Sequence, residues 1–386
     1  MNANPELRIS LEKLVSYIEK ENYRGYDPYD GLMSPLFKLP VLRSNKKIRF
    51  LAQQFIKRFP LNLRPVLSIK KGLNPVTLGL CLQGYTSMLK VYPERQKEIH
   101  EKTKMLIELL DQLIPEGFHG ACWGYDFDWE ARYASIPSYK PTIVATGIVT
   151  NALFQYYQAT KNQKAFELCQ SAAQFVLKDL NRTYGSDNTD FCFSYSPFDR
   201  QAVFNASMKA VRLLAQVYSV TKNELLKDTA RQAAAFVMKH QRDNGSWIYS
   251  TSKAGKWIDN YHTGYVLVCL KDYQNYCNDY SFEKNLEQGF EFYQRNFFLP
   301  NGHPKFYDGN PYPVDCTAAA QSLLTLTQFG EKVMAERTAR FMIQNMQSNN
   351  GAFYFRKYKT HTNKTSFMRW SNAWMMTGMA ALAQFR

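Results

Sequence analysis

Three neighbouring residues, Asp259, Tyr261 and His262, form the combination in this sequence that is best suited to proton transfer. A histidine within reach of a carboxylate can act as a general acid or base near neutral pH, and a tyrosine can assist it. Asp126 and Asp128 supply two further carboxylates, separated by one residue. We predict that these five residues are the catalytic candidates. A structural role is the simpler alternative for a single histidine.

Other residues of the same polar segments could bind a substrate without reacting with it. Aromatic rings offer flat apolar faces, and guanidinium groups pair with carboxylates in a bidentate manner. The predicted substrate-binding residues are Trp129, Arg132, Asp199, Arg200, Trp257, Asp308, Tyr312, Arg369, Trp370 and Asn372. Helix capping is an equally simple role for Asp199, Asp259 and Asp315, because each stands where an N-cap is expected.

Glycoside hydrolysis is one reaction that these residues could perform. It requires two carboxyl groups about 5 to 9.5 Å apart. Asp126 or Asp128 could supply one of them, and Asp259 or Asp308 the other.

Proton abstraction beside a carboxylate is the second compatible reaction. Tyr261 and His262 would act on the carbon next to a uronate carboxylate, which Arg132, Arg200 or Arg369 would neutralise. Lyase or C5-epimerase chemistry would result. The net charge of +15 at pH 7 favours this version, because a basic protein attracts acidic ligands.

Several other functions lack support in the sequence. The basic residues are dispersed and no nucleic-acid-binding motif is present, so we do not expect nucleic-acid binding. Motifs for phosphate loops, dinucleotide binding, serine hydrolysis and zinc peptidases are absent, so we predict no cofactor and no metal.

The seven cysteines, an odd number without a CxxC pair, indicate reduced and mainly buried thiols. No segment reaches the ~18 apolar residues of a membrane span, and the N-terminus lacks a signal-like apolar core, which predicts a cytoplasmic protein.

Two kinds of helical segment alternate along the chain. Apolar segments rich in Ala, Gly, Ser and Thr begin near Asn74, Lys140, Gln201, Asn260, Val314 and Arg369. Charged segments with one apolar stripe cover residues 46 to 59, 95 to 114, 163 to 180, 224 to 240, 282 to 298 and 331 to 347. The first kind is typical of helices packed on several sides, and the second of helices with one exposed face.

This alternation predicts an all-α fold, an (α/α)6 toroid of six helical hairpins with an inner and an outer ring. Residues 46 to 386 would form the toroid as one domain. Residues 1 to 45 would add a helix and an ordered turn segment that pack on it. The loops that lead into the inner helices converge on one mouth of such a ring, so the candidate residues would meet there.

Loops with a glycine followed by aromatic residues recur after the outer segments. They cover residues 120 to 125, 245 to 249, 302 to 307 and 351 to 355, with a weaker version at 191 to 195. We expect short aromatic strands there, at one end of the toroid. The Q-x-x-x-G-x-W form of residues 241 to 247 resembles the repeat signature of terpene-cyclase-type toroids. That resemblance implies architecture alone, because residues 126 to 129 read D-x-D-W and not the D-x-D-D of protonating cyclases.

Three segments carry a resemblance to a functional family: GYDPYDGL at residues 25 to 32, CWGYDFDWEAR at 122 to 132 followed by PTIVATG, and NYHTGYVL at 260 to 267. They resemble bacterial surface-polysaccharide proteins, capsular or exopolysaccharide, of the α/α-toroid type. They are similar, more distantly, to uronyl C5-epimerases and uronate-processing toroid enzymes. The resemblance implies action on a glycan or its precursor.

The sequence therefore predicts a carbohydrate-active protein of surface-polysaccharide biosynthesis. It would bind an acidic oligosaccharide, polysaccharide or sugar precursor at the toroid mouth. An enzyme acting as a uronyl epimerase, a lyase or a glycoside hydrolase is the first hypothesis. A non-catalytic glycan-binding or scaffold protein, with polysaccharide assembly proteins as partners, is the alternative.

Overall fold

Fourteen α-helices account for most of the chain in the computed structural model, which describes residues 5 to 131 and 134 to 385. In chain order they are α1 (Pro5–Lys20), α2 (Pro40–Ser44), α3 (Lys46–Arg58), α4 (Pro75–Val91), α5 (Gln96–Gln112), α6 (Ile143–Thr160), α7 (Gln163–Asp179), α8 (Phe204–Thr221), α9 (Glu224–Lys239), α10 (Asn260–Cys277), α11 (Glu283–Phe297), α12 (Cys316–Gln328), α13 (Lys332–Met346) and α14 (Trp374–Gln384).

Six apolar helices form a closed inner ring. In order around the axis they are α4, α6, α8, α10, α12 and α14, and α14 packs back on α4. Such helices are apolar on nearly every side because they contact two inner neighbours and the outer ring. In α4, every residue from Pro75 to Leu89 is buried. The predicted (α/α)6 toroid is confirmed.

The outer ring consists of α5, α7, α9, α11 and α13, each packed behind the inner helix that precedes it, and of α1. The bounds of the first five agree with the predicted segments to within two residues. The sixth member differs from the prediction. We expected residues 46 to 59 in the outer ring, but α1 packs against α13 and α14 and takes that place.

A repeated glutamine contact confirms the position of α1. Gln241 follows α9, and its Nε2 donates to the carbonyls of Gly245 and of Asn285 in α11, both at 2.9 Å. Gln347 follows α13, and its Nε2 donates to the carbonyl of Gly351 at 2.9 Å and to a carbonyl of α1 at 3.1 Å. Because each glutamine joins its own loop to the next outer helix, α1 stands where the next outer helix belongs.

Short strands lie in the connections from outer to inner helices, but of the five glycine-aromatic loops predicted to form them only residues 191 to 195 contain one. β1 (Trp129–Glu130) pairs with β2 (Ser135–Ile136), and β3 (Arg182–Tyr184) pairs with β4 (Phe191–Phe193), both antiparallel. β5 (Val314–Asp315), β6 (Arg356–Lys357) and β7 (Thr362–Asn363) form a three-stranded antiparallel sheet.

Residues 25 to 72, which we call the cap, leave the toroid and return to it at one point. Backbone hydrogen bonds of 3.1 and 3.0 Å join Gly25 and Gly72 at its two ends. Between them lie two 3-10 turns (Asp30–Met33 and Pro35–Lys38), α2 and α3. α3 packs on the first of these turns and on β1, so it belongs to the cap.

Candidate functional site at the mouth of the toroid

All six inner helices begin at one end of the toroid, which we call the mouth. Asn74 and Thr142 cap α4 and α6 through hydrogen bonds of 2.9 and 3.1 Å to backbone N–H groups of the first turn. Asp259 and Asp315 cap α10 and α12 in the same way. The capping role is therefore confirmed for these two aspartates. The cap covers this end, and the recess beside Tyr249, Trp257 and His262 has a volume of only about 10 Å³.

His262 lies in the first turn of α10, where Asp259 holds both its backbone and its ring. Asp259 Oδ1 accepts from the His262 backbone N–H at 2.9 Å, and Oδ2 lies 2.7 Å from Nδ1 of the imidazole. Because a carboxylate accepts, Nδ1 is the donor in this pair and Nε2 is the nitrogen left to exchange a proton. The imidazole keeps 17% exposure although Asp259 is buried.

Aromatic rings surround this imidazole. The ring centroids of Tyr261 and Tyr249 lie 3.9 and 4.6 Å from it. Trp257 stacks on Tyr249 with an interplanar angle of 14° and donates its Nε1 to Asp259 at 2.9 Å. Burial raises the pKa of both tyrosines above the usual range. Their hydroxyls therefore stay protonated and can donate protons but cannot serve as bases.

The opposite wall of the recess comes from the cap. The Tyr29 ring is edge-on to Trp370 at 5.6 Å and to Trp129 at 6.4 Å. Trp370 in turn lies 5.8 Å from the Tyr261 ring. The structure thus brings together the predicted residues Trp129, Trp370 and Tyr261 around a tyrosine that is separated from all of them in sequence.

Asp315 is fully occupied by neighbouring donors. Its Oδ1 accepts from the backbone N–H of Ala318 at 3.1 Å, and its Oδ2 accepts from Arg356 Nε at 2.6 Å. The indole Nε1 of Trp370 lies 3.3 Å from both oxygens. Asp315 therefore positions Arg356 and Trp370 and has no oxygen free for a reaction.

Arg369 pairs with the cap in a bidentate arrangement. Its Nε and one terminal nitrogen donate to the two oxygens of Asp27 at 2.6 and 2.8 Å. The guanidinium also lies 4.8 Å from the centroid of the Tyr125 ring. Asp27 thus already neutralises Arg369, which we had expected to bind a substrate carboxylate.

Asp126 and Asp128 lie where the cap meets the toroid. Asp126 accepts from Asn74 Nδ2 at 2.6 Å. Burial, reinforced by the negative charge of Asp27, raises the pKa of Asp126 to about 6. Asp128 accepts from the backbone N–H of Ser138 at 3.0 Å and lies 3.6 Å from Arg49 of α3. Both carboxylates thus hold loops together.

Lys57 of α3 is a functional candidate that the sequence did not reveal. Its Nζ contacts the Tyr29 hydroxyl and lies 3.9 Å from the Tyr29 ring centroid and 5.7 Å from that of Trp370. Burial, with the nearby cation of Arg356, lowers the pKa of Lys57 well below its usual range. Its hydrogen-bond partner is neutral, so this lowered pKa favours the uncharged amine, and an anionic ligand beside Nζ would favour the ammonium.

Asp199 closes a turn and does not cap α8, so its predicted capping role was wrong. Its Oδ1 accepts from the backbone N–H groups of Tyr195 and Gln201 at 3.2 and 3.0 Å, and its Oδ2 accepts from Ser196 at 2.5 Å. α8 begins at Phe204, and no side-chain hydrogen bond caps its first turn.

The remaining predicted residues do not join the Asp259–His262 pair. Arg200 is exposed. Asp308 accepts from the backbone N–H of the residue that follows it, and Tyr312 packs edge-on against an imidazole of its own loop. Asn372 is buried, and its amide bonds to the backbone and a serine hydroxyl. Arg132 lies outside the described residues.

A larger space lies inside the ring at the end away from the mouth. This axial cavity has a volume of about 1240 Å³, and side chains from all six inner helices line it. Tyr265 and Trp374, with ring centroids 5.6 Å apart, lie between it and the recess, since Tyr265 also packs 5.6 Å from Tyr261.

Within residues 5 to 131 and 134 to 385, no helix is both long enough and apolar enough to cross a membrane. No group of three His, Cys, Asp or Glu side chains in these ranges could hold a metal ion. All seven cysteines are buried and unpaired, as expected.

Comparison with known proteins gives a match at the level of structure alone. No protein-family model and no curated protein matches the sequence. A cellobiose 2-epimerase from Bacillus thermoamylovorans superposes with a TM-score of 0.62 and 12% identity, over 80% of this chain and 87% of its own. A sugar epimerase from a ruminal bacterium gives 0.60 and 13%, over 82% and 90%. A GH76 α-mannanase from Bacteroides thetaiotaomicron gives 0.59 and 14%, over 80% and 86%. At such identities the likeness shows that this chain has the fold of the α/α-toroid carbohydrate enzymes.

Proposed function

We propose that this protein is a cytoplasmic carbohydrate-active enzyme that binds an acidic saccharide in the mouth and acts on it by proton transfer. It would be a uronyl epimerase or lyase of bacterial surface-polysaccharide biosynthesis. The observation that carries the proposal is the Asp259–His262 pair, in which a buried carboxylate orients an accessible imidazole between aromatic rings.

Proton transfer fits the recess better than glycoside hydrolysis does. Hydrolysis needs two carboxyl groups that face the substrate. Asp259 and Asp315 accept hydrogen bonds on both oxygens, while Asp126 and Asp128 bind loops at the edge of the cap. His262 retains a nitrogen that can accept a proton, so it is the stronger candidate for a base.

Each residue then has a defined part in the reaction. His262 Nε2 would remove the proton from the carbon next to the substrate carboxylate, with Lys57 pairing with that carboxylate to stabilise the resulting charge. Return of a proton to the opposite face, from the Tyr29 hydroxyl on the facing wall, would give the epimer. Expulsion of the neighbouring oxygen substituent by the same electron pair would give the unsaturated product. Trp257 at the rim would stack on a sugar ring.

The comparisons support the substrate class. Two of the similar structures are of proteins named as sugar epimerases, and a third is named as an α-mannanase. The resemblance of the 25 to 32 and 260 to 267 segments supports the surface-polysaccharide context.

The test is incubation of the purified protein with uronate-containing oligosaccharides in D₂O. Deuterium uptake without cleavage, measured by mass spectrometry, would indicate epimerisation. Cleavage with new ultraviolet absorbance from an unsaturated uronate would indicate a lyase. Cleavage without that absorbance would indicate a hydrolase and would contradict the role assigned to His262.

His119 provides a matched control for His262. Its backbone N–H and its Nδ1 bind the two oxygens of Asp179 at 2.9 and 2.7 Å, the same arrangement on the outside of the toroid. We expect His262→Asn to lower deuterium exchange at least ~100-fold, the usual contribution of a general base. His119→Asn should leave exchange unchanged. Equal losses in both variants would contradict the proposal.

A glycan-binding protein without turnover is the second candidate, because the rings of Trp257 and Trp129 at the mouth could stack on a sugar whether or not a reaction follows. In that case Trp257→Ala and Trp129→Ala would reduce saccharide affinity in calorimetry, and neither exchange nor cleavage would occur in the wild-type protein.

A further inference from the structure

The outer surface of the cap is unusual in both charge and exposure. Residues 31 to 93 contain Lys and Arg but no Asp or Glu. Large apolar side chains are also exposed along the cap; they are Met33, Leu36, Leu39, Val41, Ile48, Leu51, Phe55, Leu61 and Val66. A surface that combines many exposed apolar groups with one sign of charge marks an interaction site.

α3 shows how these groups are arranged. Gln53 and Ile56 are buried against the toroid side of the cap. Leu51 and Phe55, which are 65% and 59% exposed, lie one turn apart on the outward face. Lys47 is also exposed and lies one turn before Leu51. Arg58 is exposed as well and lies almost one turn after Phe55, so the two basic residues stand at either end of the apolar stripe. An ordinary outer helix buries its apolar face, whereas α3 exposes a face of apolar and basic side chains to solvent.

We propose that this face of the cap binds the surface of an anionic membrane. Interfacial helices combine apolar side chains, which enter the headgroup boundary, with Lys and Arg, which pair with acidic lipids. Protein interfaces are instead depleted in lysine at their centres, so interleaved Lys and apolar residues favour lipid over a protein partner. The surface would hold the protein on the membrane through interfacial contacts of the cap.

The experiment is flotation of the full-length protein with vesicles of phosphatidylcholine alone or of phosphatidylcholine and phosphatidylglycerol at 3:1. We expect flotation with the anionic vesicles only, and at least ~10-fold weaker binding at 0.5 M salt because salt screens surface charge. Leu51→Glu and Phe55→Glu should each abolish flotation, and Lys47→Glu should weaken it.

Leu225→Glu in α9 is the matched control, because Leu225 is 60% exposed but lies on an outer helix away from the cap. It should float like the wild type. Absence of flotation with anionic vesicles, or equal losses in the Leu225 and Leu51 variants, would overturn the proposal. Association of the protein with itself in place of vesicles, lost in the Leu51 variant, would identify the face as a protein interface and would also overturn it.

The axial cavity carries a second, independent inference. Lys209, 1% exposed, places its Nζ 3.6 Å from the centroid of the Tyr265 ring. Arg212, 6% exposed, donates to the carbonyl of Gly147 at 2.9 Å and lies 3.9 Å from Asp272, but its Nε has no hydrogen-bond partner among the described residues. Burial lowers the pKa of Lys209 to about 7. An unpaired buried guanidinium nitrogen is costly unless a ligand or water completes it.

The rest of the cavity wall suits a hydroxylated ring. Its side-chain amides are Gln83, Asn151, Gln155, Gln321, Gln328 and Gln384, and its aromatic rings are Tyr265, Trp374 and Phe385. Amides can donate to and accept from hydroxyl groups, and aromatic rings offer an apolar face. The volume of about 1240 Å³ exceeds that of ordinary small-molecule pockets, roughly 300 to 1,000 Å³.

We infer that the axial cavity is a binding site for an anionic sugar, with Lys209 and Arg212 holding its carboxylate or phosphate. This site is separate from the mouth and does not depend on the proposed reaction. Calorimetric titration with glucuronate, glucose 6-phosphate and glucose would test it and distinguish the two anion sources. We expect at least one anionic sugar to bind and glucose to bind at least ~10-fold more weakly, since charged hydrogen bonds are the stronger ones.

Two cavity variants locate the site. Lys209→Met should weaken anionic-sugar binding at least ~10-fold. Gln155→Trp fills the cavity from α6 without removing a charge, so it should abolish binding at this site and leave only the binding at the mouth. This second variant keeps the inference testable if Lys209→Met folds poorly. His262→Asn should leave binding in the cavity unchanged. Binding that survives both cavity variants and disappears in the His262 variant would assign the ligand to the mouth and overturn this inference.

Discussion

At the scale of single residues, several acids at the mouth that the sequence predicts to be catalytic or substrate-binding instead cap helices or hold loops together. Asp259 was correctly placed beside His262 because the two are three residues apart in one helical turn. Asp27 and Arg369 are separated by 342 positions, and Arg356 meets Asp315 only through pairing of β6 with β5. Local spacing could therefore identify the His–Asp pair, but not the long-range ion pairs that neutralise the arginines.

The raised pKa of Asp126 predicts a pH-dependent stability. The folded protein binds this proton more tightly than the unfolded chain, whose aspartate has a pKa near 3.9, so the contribution is greatest below about pH 4 and is lost as pH rises through about 6. Asp126→Asn should remove this slope and gain ~1–2 kcal/mol at pH 7 relative to wild type. Urea unfolding at pH 4, 5.5 and 7 would measure it, with Asp228→Asn on the exposed side of α9 as control. A stability difference between wild type and Asp126→Asn that stays constant with pH would contradict it.

Replacing Lys57 should change thermal stability and uronate affinity in opposite directions. Lys57 is half-buried and its pKa is lowered by desolvation, so its charged form costs the fold free energy that an apolar side chain of similar length would not. Lys57→Met should therefore raise the melting temperature but weaken uronate binding at least ~10-fold, because the substrate carboxylate loses its cation. Calorimetry and thermal unfolding on the same samples would measure both. Lys47→Met, an exposed change on the same helix, should alter neither, and a destabilised Lys57 variant with normal uronate affinity would contradict the assigned role.

At the scale of elements, the prediction failed where two amphipathic helices could exchange roles. α3 has the apolar stripe of Ile48, Leu51 and Phe55, so its pattern indicated an inward face, but the structure exposes all three. α1 carries an equally regular stripe, and there the apolar residues are buried in the main core. Periodicity reports that a helix has a distinct face, but it does not report what covers that face. The contact of Gln347 with α1, which matches that of Gln241 with α11, identifies α1 as the outer helix, but this contact is visible only in the folded structure.

The position of α1 in the outer ring predicts its contribution to stability. Leu14 is buried in the main core, so Leu14→Ala should lower the free energy of unfolding by ~2–5 kcal/mol. Ile9→Ala on the exposed face of α1 should change it by less than about 0.5 kcal/mol. Urea denaturation followed by circular dichroism would show one shifted transition for Leu14→Ala. If the urea midpoint of the main unfolding transition did not change in Leu14→Ala, α1 would not be part of the cooperative folding unit.

At the scale of the whole molecule, the toroid is complete without the cap. The inner and outer rings contain six helices each, and none of them comes from residues 25 to 72. Leu32, Ile56 and Ile69 are buried in the cap but do not belong to the main core. The sequence predicted the toroid well because six repeats report the same architecture, whereas the cap occurs once and has no repeat to reveal it.

We therefore expect the cap to be removable. Joining Gly25 to Gly72 through a short Gly-Ser turn should preserve helical circular dichroism and cooperative unfolding, because the two glycines are already hydrogen-bonded. Tryptophan fluorescence should shift to longer wavelength as Trp129 and Trp370 lose Tyr29 as a neighbour. The matched control is the same Gly-Ser turn inserted between Asp308 and Gly309, in a loop that the rings do not use. Loss of cooperative unfolding in the shortened chain alone would show that the cap is part of the folding core.

The contact between α1 and α14 has a consequence for how the chain is made. Among the helices described, α1 leaves the ribosome before all the others, and α14, one of the helices that cover its apolar stripe, leaves after them. The nascent chain must therefore carry Leu7, Leu11 and Leu14 without this partner until α14 has emerged, so the ring cannot close before then. A chain cut short before residue 374 would keep that stripe uncovered on the side of α14 permanently, which makes truncated products ready substrates for chaperones and proteases.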